Sequence, residues 1–103
     1  MADTAPTITV SAQADDTGIT FTVSGSGFTP NSTVHIRVVD DALNTLWFTQ
    51  SADESGILNL QQPIDCTAGT LHFSANDERP DPNDATGTLW SNTFDIPCPV
   101  NDN

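Results

Sequence analysis

The segment GSGFTPNSTVHIRVVDD, residues 25–41, contains the pattern that decides the fold of this chain. Its first half is rich in glycine, proline and asparagine, which favour turns because they accept or fix unusual backbone angles. In its second half Val34, Ile36 and Val38 alternate with polar residues. Alternation with a period of two is typical of a β-strand with one buried face. The segment therefore predicts a turn that leads into a strand, with Phe28 closing one end of a core.

The same alternation recurs along the rest of the chain and divides it into short apolar segments. The predicted strands are TITVSA, ITFTV, TVHIRV, LWFTQ, ILNLQ, TLHFSA and LWSNTFDI. The side chains at their inward phase are Ile8, Val10, Ala12, Ile19, Phe21, Val23, Val34, Ile36, Val38, Leu58, Leu60, Leu71, Phe73, Ala75, Phe94 and Ile96. No segment keeps a helical period, so the chain is predicted to be all-β.

About seven antiparallel strands in one domain favour an immunoglobulin-like β-sandwich over residues 1–103, with a small barrel as the alternative. Short flexible ends are expected at about residues 1–5 and 99–103. Alternating strand directions place three loops at one end of the sandwich, at residues 25–32, 51–56 and 76–88. The last of these loops is long and acidic, and Pro80 and Pro82 are expected to bar it from strand pairing.

The two cysteines, Cys66 and Cys98, provide a test of this topology. If the last two strands form an antiparallel hairpin, residues 66 and 98 face each other about residue 82, in the predicted hairpin loop. Both thiols then lie at the same end of the sandwich, within reach of a disulfide bond. A disulfide between Cys66 and Cys98 is therefore predicted, and two reduced, partly buried thiols are the alternative in a reducing compartment.

The chain is strongly acidic, with 14 acidic residues, two arginines, no lysine and a net charge of −12. Nucleic acid is excluded as a partner because phosphate contacts need clustered cations, and an anionic membrane surface is disfavoured for the same reason. The apolar runs are too short for a membrane span, and the N-terminus lacks the basic and apolar regions of a secretory signal. The acidity favours solubility, with cation binding or a high-salt environment as alternatives.

An enzymatic site is not expected from this sequence. His35 and His72 lie in the middle of predicted strands at the outward phase, and we interpret them as surface histidines. No nucleophile motif frames the serine, histidine and aspartate residues. Tyrosine and lysine are absent from the sequence, which removes two common acid–base groups.

Calcium is the metal that the acidic loop suits best. Asp77, Asp81 and Asp84, with Glu78 and Asn83, offer the hard oxygen ligands that this ion prefers. Their spacing does not match an EF-hand, and the prolines restrict wrapping around an ion, so a solvated acidic loop without a cofactor is the favoured interpretation. A second acidic group is expected at the opposite end of the sandwich, formed by Asp15, Asp16, Asp40, Asp41 and Asp65.

Four residues are candidates for contacts with a partner: Arg37, Trp47, Arg79 and Trp90. Arginine and tryptophan are enriched where proteins bind one another. For each tryptophan, burial in the core is the favoured interpretation, because a sandwich usually buries a tryptophan, and a contact surface is the alternative. For Arg37, an ion pair with a nearby aspartate is expected in place of a bound ligand.

The segments SGSGFTPNSTVHIRV, SADESGILNL, GTLHFSAND and TLWSNTFDI resemble the immunoglobulin-like modules of bacterial surface proteins and of tailed-bacteriophage structural proteins. The shared pieces are a turn and strand of the form GxGFxPxSxVxI and a hairpin of the form aDxxGxl, within a likeness of about 70 residues. The sequence shows no signal peptide and begins with a methionine, features expected of the phage branch.

The resemblance implies a capsid decoration protein, which is a non-enzymatic virion structural protein bound to the outside of a tailed-phage capsid. Its expected partner is the major capsid protein or another virion protein, and self-association on the capsid lattice is a further expectation. The alternative is a bacterial surface or secreted adhesive module that binds carbohydrate or protein, located outside the cell or on its surface.

Overall fold

The computed structural model of the chain describes residues 6–15, 18–41, 43–64, 69–81, 84 and 86–98. The predicted flexible ends, residues 1–5 and 99–103, lie outside this range, as does Cys66. The strands are β1 (Thr7–Asp15), β2 (Gly18–Ser26), β3 (Thr33–Val39), β4 (Thr45–Ser51), β5 (Leu58–Pro63), β6 (Thr70–Pro80), β7 (Thr88–Trp90) and β8 (Phe94–Pro97). The described residues form no helix that is long and apolar enough to cross a membrane.

The strands form two antiparallel sheets that pack as a sandwich. One sheet has the order β1-β2-β5, and the other has the order β4-β3-β6-β7, with β8 also paired to β6. The predicted all-β sandwich is therefore confirmed, and its strand order is consistent with an immunoglobulin-like topology.

The core lies between the two sheets and follows the predicted alternation. Fifteen of its members are aliphatic residues, aromatic residues or alanines at inward positions or loop ends, and Cys98 is the sixteenth. Phe21 and Phe73 meet across the sheets with ring centroids 5.6 Å apart. Four predicted core residues are only half-buried at the margin: Ala12, Ile19, Phe94 and Ile96. Phe28 is 4% exposed, so its predicted position at one end of the core is confirmed.

The predicted last strand is divided into β7 and β8 by residues 91–93. Ser91 continues the contact with β6, because its N–H donates to the carbonyl of Ala75 (2.8 Å) and its hydroxyl accepts the N–H of Ala75 (2.9 Å). The Asn92 amide then turns towards β1. It accepts the N–H of Ile8 (2.8 Å) and donates to the Ile8 carbonyl (3.1 Å), so a side chain ties the edges of the two sheets together.

The predicted loop at residues 76–88 is partly wrong, because β6 continues through Pro80. The ladder shifts register between Asn76 and Pro80, and Glu78 takes a positive φ of 70° there. Pro80 faces Thr88, while the next N–H, from Asp81, donates to Gly87 (2.9 Å). Pro80 therefore occupies a position without a ladder hydrogen bond to β7, which is where a strand tolerates proline. Pro82 lies outside the described residues.

The pairing of β6 with β7 and β8 confirms the predicted hairpin between the last segments. Cys98 follows β8, is 5% exposed and is disulfide-bonded, and its N–H donates to Gly69 (2.8 Å). Because Cys66 is not among the described residues, the pairing of Cys66 with Cys98 stays a prediction.

Candidate functional site

The candidate site is on the outer face of the β4-β3-β6-β7 sheet. Val34, Ile36 and Val38 of β3 fill the core, so the residues between them point outwards. Arg37 faces Trp47 of β4 on one side and Ser74 of β6 on the other. Trp90 of β7 faces Asn76 of β6. The register thus brings an arginine and both tryptophans to one face of the sheet.

Trp90 contacts both Arg37 and Trp47, and we call these three residues the tryptophan–arginine cluster. The guanidinium carbon of Arg37 lies 4.7 Å from the ring centroid of Trp90. The two indole rings have centroids 6.2 Å apart and planes tilted by 47°. Trp47 is 56% exposed, whereas Trp90 and Arg37 are half-buried. The cluster combines a cation–π contact, worth about 0.5–2 kcal/mol, with an indole surface that remains open to a partner.

The cluster settles two open alternatives for these residues. Neither tryptophan lies in the buried core, so the favoured interpretation of core burial is wrong, and the contact-surface alternative agrees with their placement. The predicted ion pair of Arg37 with an aspartate is wrong for the part of the chain that the structure describes, where Arg37 stacks on Trp90 and its Nε is buried without a hydrogen-bond partner. The physical reason is the register, which places Trp47 and Ser74, and no acid, beside Arg37.

Thr86 and Asp84 fix the position of Trp90. The indole Nε1–H of Trp90 donates to Thr86 Oγ1 (2.9 Å), and this hydroxyl donates to Asp84 Oδ1 (2.6 Å). The N–H of Thr86 donates to the same carboxylate oxygen (2.8 Å). The bond from the Thr86 hydroxyl has the larger effect and the bond from its backbone N–H the smaller, and together they lower the pKa of Asp84 below its usual value. Thr86 was not predicted as a site residue, although an aspartate two residues before a threonine is a common turn signal.

Arg79, the fourth predicted contact residue, lies in a different place. Its Nε donates to Asp77 Oδ1 (2.9 Å) and its Nη2 donates to the Gly27 carbonyl (2.8 Å). The other oxygen of Asp77 accepts the N–H of Thr29 (2.7 Å). We call this group the Asp77–Arg79 clamp. It joins β6 to residues 27–29, so Arg79 supports the fold and does not extend the cluster.

The electrostatics of the clamp follow from its burial. The Asp77 side chain is fully buried, and that of Arg79 is 20% exposed. Burial alone raises the pKa of Asp77, but the hydrogen bonds from Arg79 and Thr29 and the nearby positive charge outweigh it, so the pKa lies below its usual value. The carboxylate is therefore ionised and committed to the clamp.

The described residues of the predicted calcium group contact different partners and do not converge on one point. Asp77 belongs to the clamp and Asp84 holds Thr86, while Asp81 begins the turn through its backbone bond to Gly87. Asn83 lies outside the described residues. Among the residues that are described, no group of three or more histidine, cysteine, aspartate or glutamate side chains is arranged to hold a metal ion.

The two histidines point outwards as predicted and contact carboxylates. His35 Nε2 lies 3.4 Å from Glu78 Oε1. His72 Nδ1 lies 2.7 Å from Asp95 Oδ1, and its Nε2 lies 3.2 Å from Asp41 Oδ1. Hydrogen bonds to Asp95 and then to Asp41 raise the pKa of His72.

The second predicted acidic group is only partly described. Asp41 contacts His72 and also accepts the N–H of Thr70 (3.0 Å). Asp40 accepts the backbone N–H (2.9 Å) and the side-chain amide (3.1 Å) of Asn44. Asp16, Asp65 and the side chain of Asp15 lie outside the described residues.

Comparisons of this chain with protein-family models, with curated proteins and with solved structures found no match. The site is therefore characterised by its own geometry.

Proposed function

We propose that this chain is a non-enzymatic binding module that attaches to another protein through the tryptophan–arginine cluster. The resemblance in its sequence suggests the setting, which is the outside of a tailed-phage capsid, with the major capsid protein as partner. The single observation that supports a binding role is the cluster itself. It places one half-buried arginine and two indoles, one of them 56% exposed, on an open sheet face.

The composition and support of the cluster suit a docking surface. Tryptophan and arginine dominate the residues whose truncation most weakens protein–protein binding. Trp90 is fixed by Thr86, so little conformational freedom remains to be lost when a partner binds. On a capsid lattice many copies act together, and contacts between neighbouring copies convert modest single-site affinity into stable attachment.

The test is co-sedimentation of the purified chain with tailed-phage capsids assembled from the major capsid protein alone. We expect binding at micromolar concentration and a loss of at least about tenfold in Trp47→Ala, as for a central interface tryptophan. Ile57→Ala is the matched control, because Ile57 is also apolar and 43% exposed but lies outside the cluster. Absence of the wild-type chain from the capsid pellet, or equal losses in both variants, contradicts the proposal.

A carbohydrate-binding adhesive module is the second candidate, and the exposed indole of Trp47 favours it. Indole faces stack on the apolar faces of sugar rings, and a neutral sugar is not repelled by a net charge of −12. A glycan array probed with the wild-type chain and Trp47→Ala separates the two functions. Binding to neutral glycans that Trp47→Ala abolishes, together with no capsid binding, identifies the adhesive module.

A further inference from the structure

We infer that β4 binds an extended segment of another protein as an added strand. The segment has an apolar centre and basic residues at both ends. This inference goes beyond the proposed function, because it concerns backbone pairing at the open edge of the sheet, and it holds whichever protein carries the segment.

The hydrogen-bonding phase of β4 leaves a complete set of backbone groups on its open side. At one end of β4, Ala52 donates its N–H to the Ser32 carbonyl (2.8 Å). At the other end, the backbone N–H of Asp40 donates to the carbonyl of Asn44 (3.0 Å). Both pairs continue the register of β3 with β4. Bonded and non-bonded pairs alternate in an antiparallel ladder. The residues whose N–H and C=O groups point to the open side are therefore Thr45, Trp47, Thr49 and Ser51.

No described strand pairs with this side of β4. Its sequence, TLWFTQS, has no charge and no proline, although sheet edges are usually protected by such residues. The edges of the other sheet are better protected. Asn92 occupies the backbone groups of Ile8 on β1, and β5 is shorter and ends at Pro63. An unprotected edge of this length is the surface that strand addition requires.

Both faces of β4 carry exposed apolar side chains, which an added strand would cover. Leu46 is at the inward phase but is 48% exposed. Beside it is a cleft of about 130 Å³ between the sheets, lined by Val38, Asp40, Asn44, Leu46, Ile64 and Leu71. On the outer face Trp47 is 56% exposed. Apolar residues in the segment would pack against both.

Negative charges at the two ends of β4 determine which kind of segment can pair with it. Asp40 and Asp41 precede the strand, and Asp53 and Glu54 follow it. In an antiparallel pair of two copies, the acids at one end of each β4 would face those at the other end of its partner, and like charges oppose pairing. A segment with lysine or arginine at both ends gains from the same charges. A different protein with basic flanks is therefore favoured over a second copy of this chain.

The test uses the full chain and two synthetic peptides, KKVTVTVKK and EEVTVTVEE. We expect the basic peptide to bind at least about tenfold more tightly than the acidic one at low salt. Amide hydrogen exchange by NMR supplies the signature of strand addition. Exchange should slow at Thr45, Trp47, Thr49 and Ser51, because their amides acquire acceptors.

Two substitutions at one position test the geometry. Thr49→Pro removes an outward N–H without removing a bond to β3, and Thr49→Lys adds the charge that usually protects an edge. Each is expected to reduce peptide binding at least about tenfold. Thr9→Lys makes the same charge change on β1 and should bind as the wild type does. Thermal unfolding establishes that each variant is folded. If Thr49→Pro does not fold, Thr49→Lys alone provides the test.

The outcomes distinguish the possible occupants of the edge. No binding of the basic peptide, or slowed exchange confined to β1, overturns the inference. Concentration-dependent dimerisation that Thr49→Lys abolishes assigns the edge to a second copy and also overturns it. Trp47 belongs to both surfaces, so Trp90→Ala is the variant that separates them. It should weaken capsid binding and leave peptide binding on β4 intact, so the proposed function and this inference fail independently.

Discussion

Replacing Asp77 by alanine tests whether the Asp77–Arg79 clamp fixes the end of the sandwich. The substitution removes the acceptor for the Thr29 N–H (2.7 Å) and for Arg79 Nε (2.9 Å). It also leaves the Arg79 guanidinium, which is 20% exposed, without its carboxylate. What remains is a cation near the protein interior and an unpaired backbone N–H at the start of the 29–32 turn.

The magnitude follows from the burial of the pair. Breaking a buried ion pair by removing one partner costs about 3–5 kcal/mol. The clamp lies at the end of the sandwich, and Arg79 retains some contact with water that partly screens its charge. We therefore expect the low end of the range, a loss of about 3 kcal/mol in the free energy of unfolding. For a domain of this size the melting temperature should fall by about 12–24 °C.

The assay is urea unfolding followed by circular dichroism, with the free energy of unfolding obtained by linear extrapolation. Glu54→Ala is the matched control, because it removes an exposed acid from a turn and should change stability by less than about 0.5 kcal/mol. The double variant with Arg79→Ala should cost less than the sum of the two single substitutions, because each single substitution already breaks the contact between Asp77 and Arg79. A loss below about 1 kcal/mol in Asp77→Ala, or strict additivity, refutes the reasoning.

Three further changes test other contacts in the fold. His72 has a raised pKa, so its contribution to stability should be full below its ordinary value of 6.5 and should disappear as pH rises through the raised folded value. His72→Gln should remove this dependence from urea midpoints measured across that pH range, and an unchanged profile would contradict it. Gly56→Ala places a methyl group against the Phe28 carbonyl oxygen at a positive φ of 76° and should cost about 1–3 kcal/mol. Gly87→Ala isolates the backbone part, because its φ is 75° and nothing lies within 4 Å, and an equal loss would remove the steric argument. Asn92→Ala should cost about 1–2 kcal/mol and speed amide exchange at the β1 edge, and unchanged exchange would show that the bridge is not formed.

The sandwich was predictable because its strands carry a local signal. Apolar alternation and turn residues lie next to each other in sequence, and both were sufficient to locate the strands and the core. The predicted loop was wrong at residues 76–80, where β6 continues, and this error has a different origin. Aspartate and proline disfavour strands locally, but the strand is stabilised here by Asp77 and Arg79 contacting residues 27–29, about fifty positions earlier. Such long-range contacts leave no periodic pattern in the sequence.

The candidate site was predictable in residue type but not in arrangement. Arg37, Trp47 and Trp90 stand out because arginine and tryptophan are rare and favoured in interfaces. Their meeting depends on register across β4, β3, β6 and β7, and a shift of one residue would place Arg37 in the core. The same register explains why Arg79, chosen on the same grounds, lies in the clamp. The open edge of β4 was not predicted. Which strand lies at the edge of a sheet depends on strand order, and the alternation of residues within a strand does not specify that order.

The distribution of charge connects the fold with both proposed surfaces. The sequence has a net charge of −12, yet β3, β4 and β7, which carry the cluster and the open edge, contain no acidic residue. The acids near β4 lie in the turns at its two ends, so a partner meets an uncharged or cationic surface bordered by negative charge. Docking on the cluster should therefore depend little on salt, whereas a basic segment on the β4 edge should bind more weakly as ionic strength rises. This difference in salt dependence separates the two surfaces even though both include Trp47, and equal salt slopes for the two would show that the acidic turns do not direct binding.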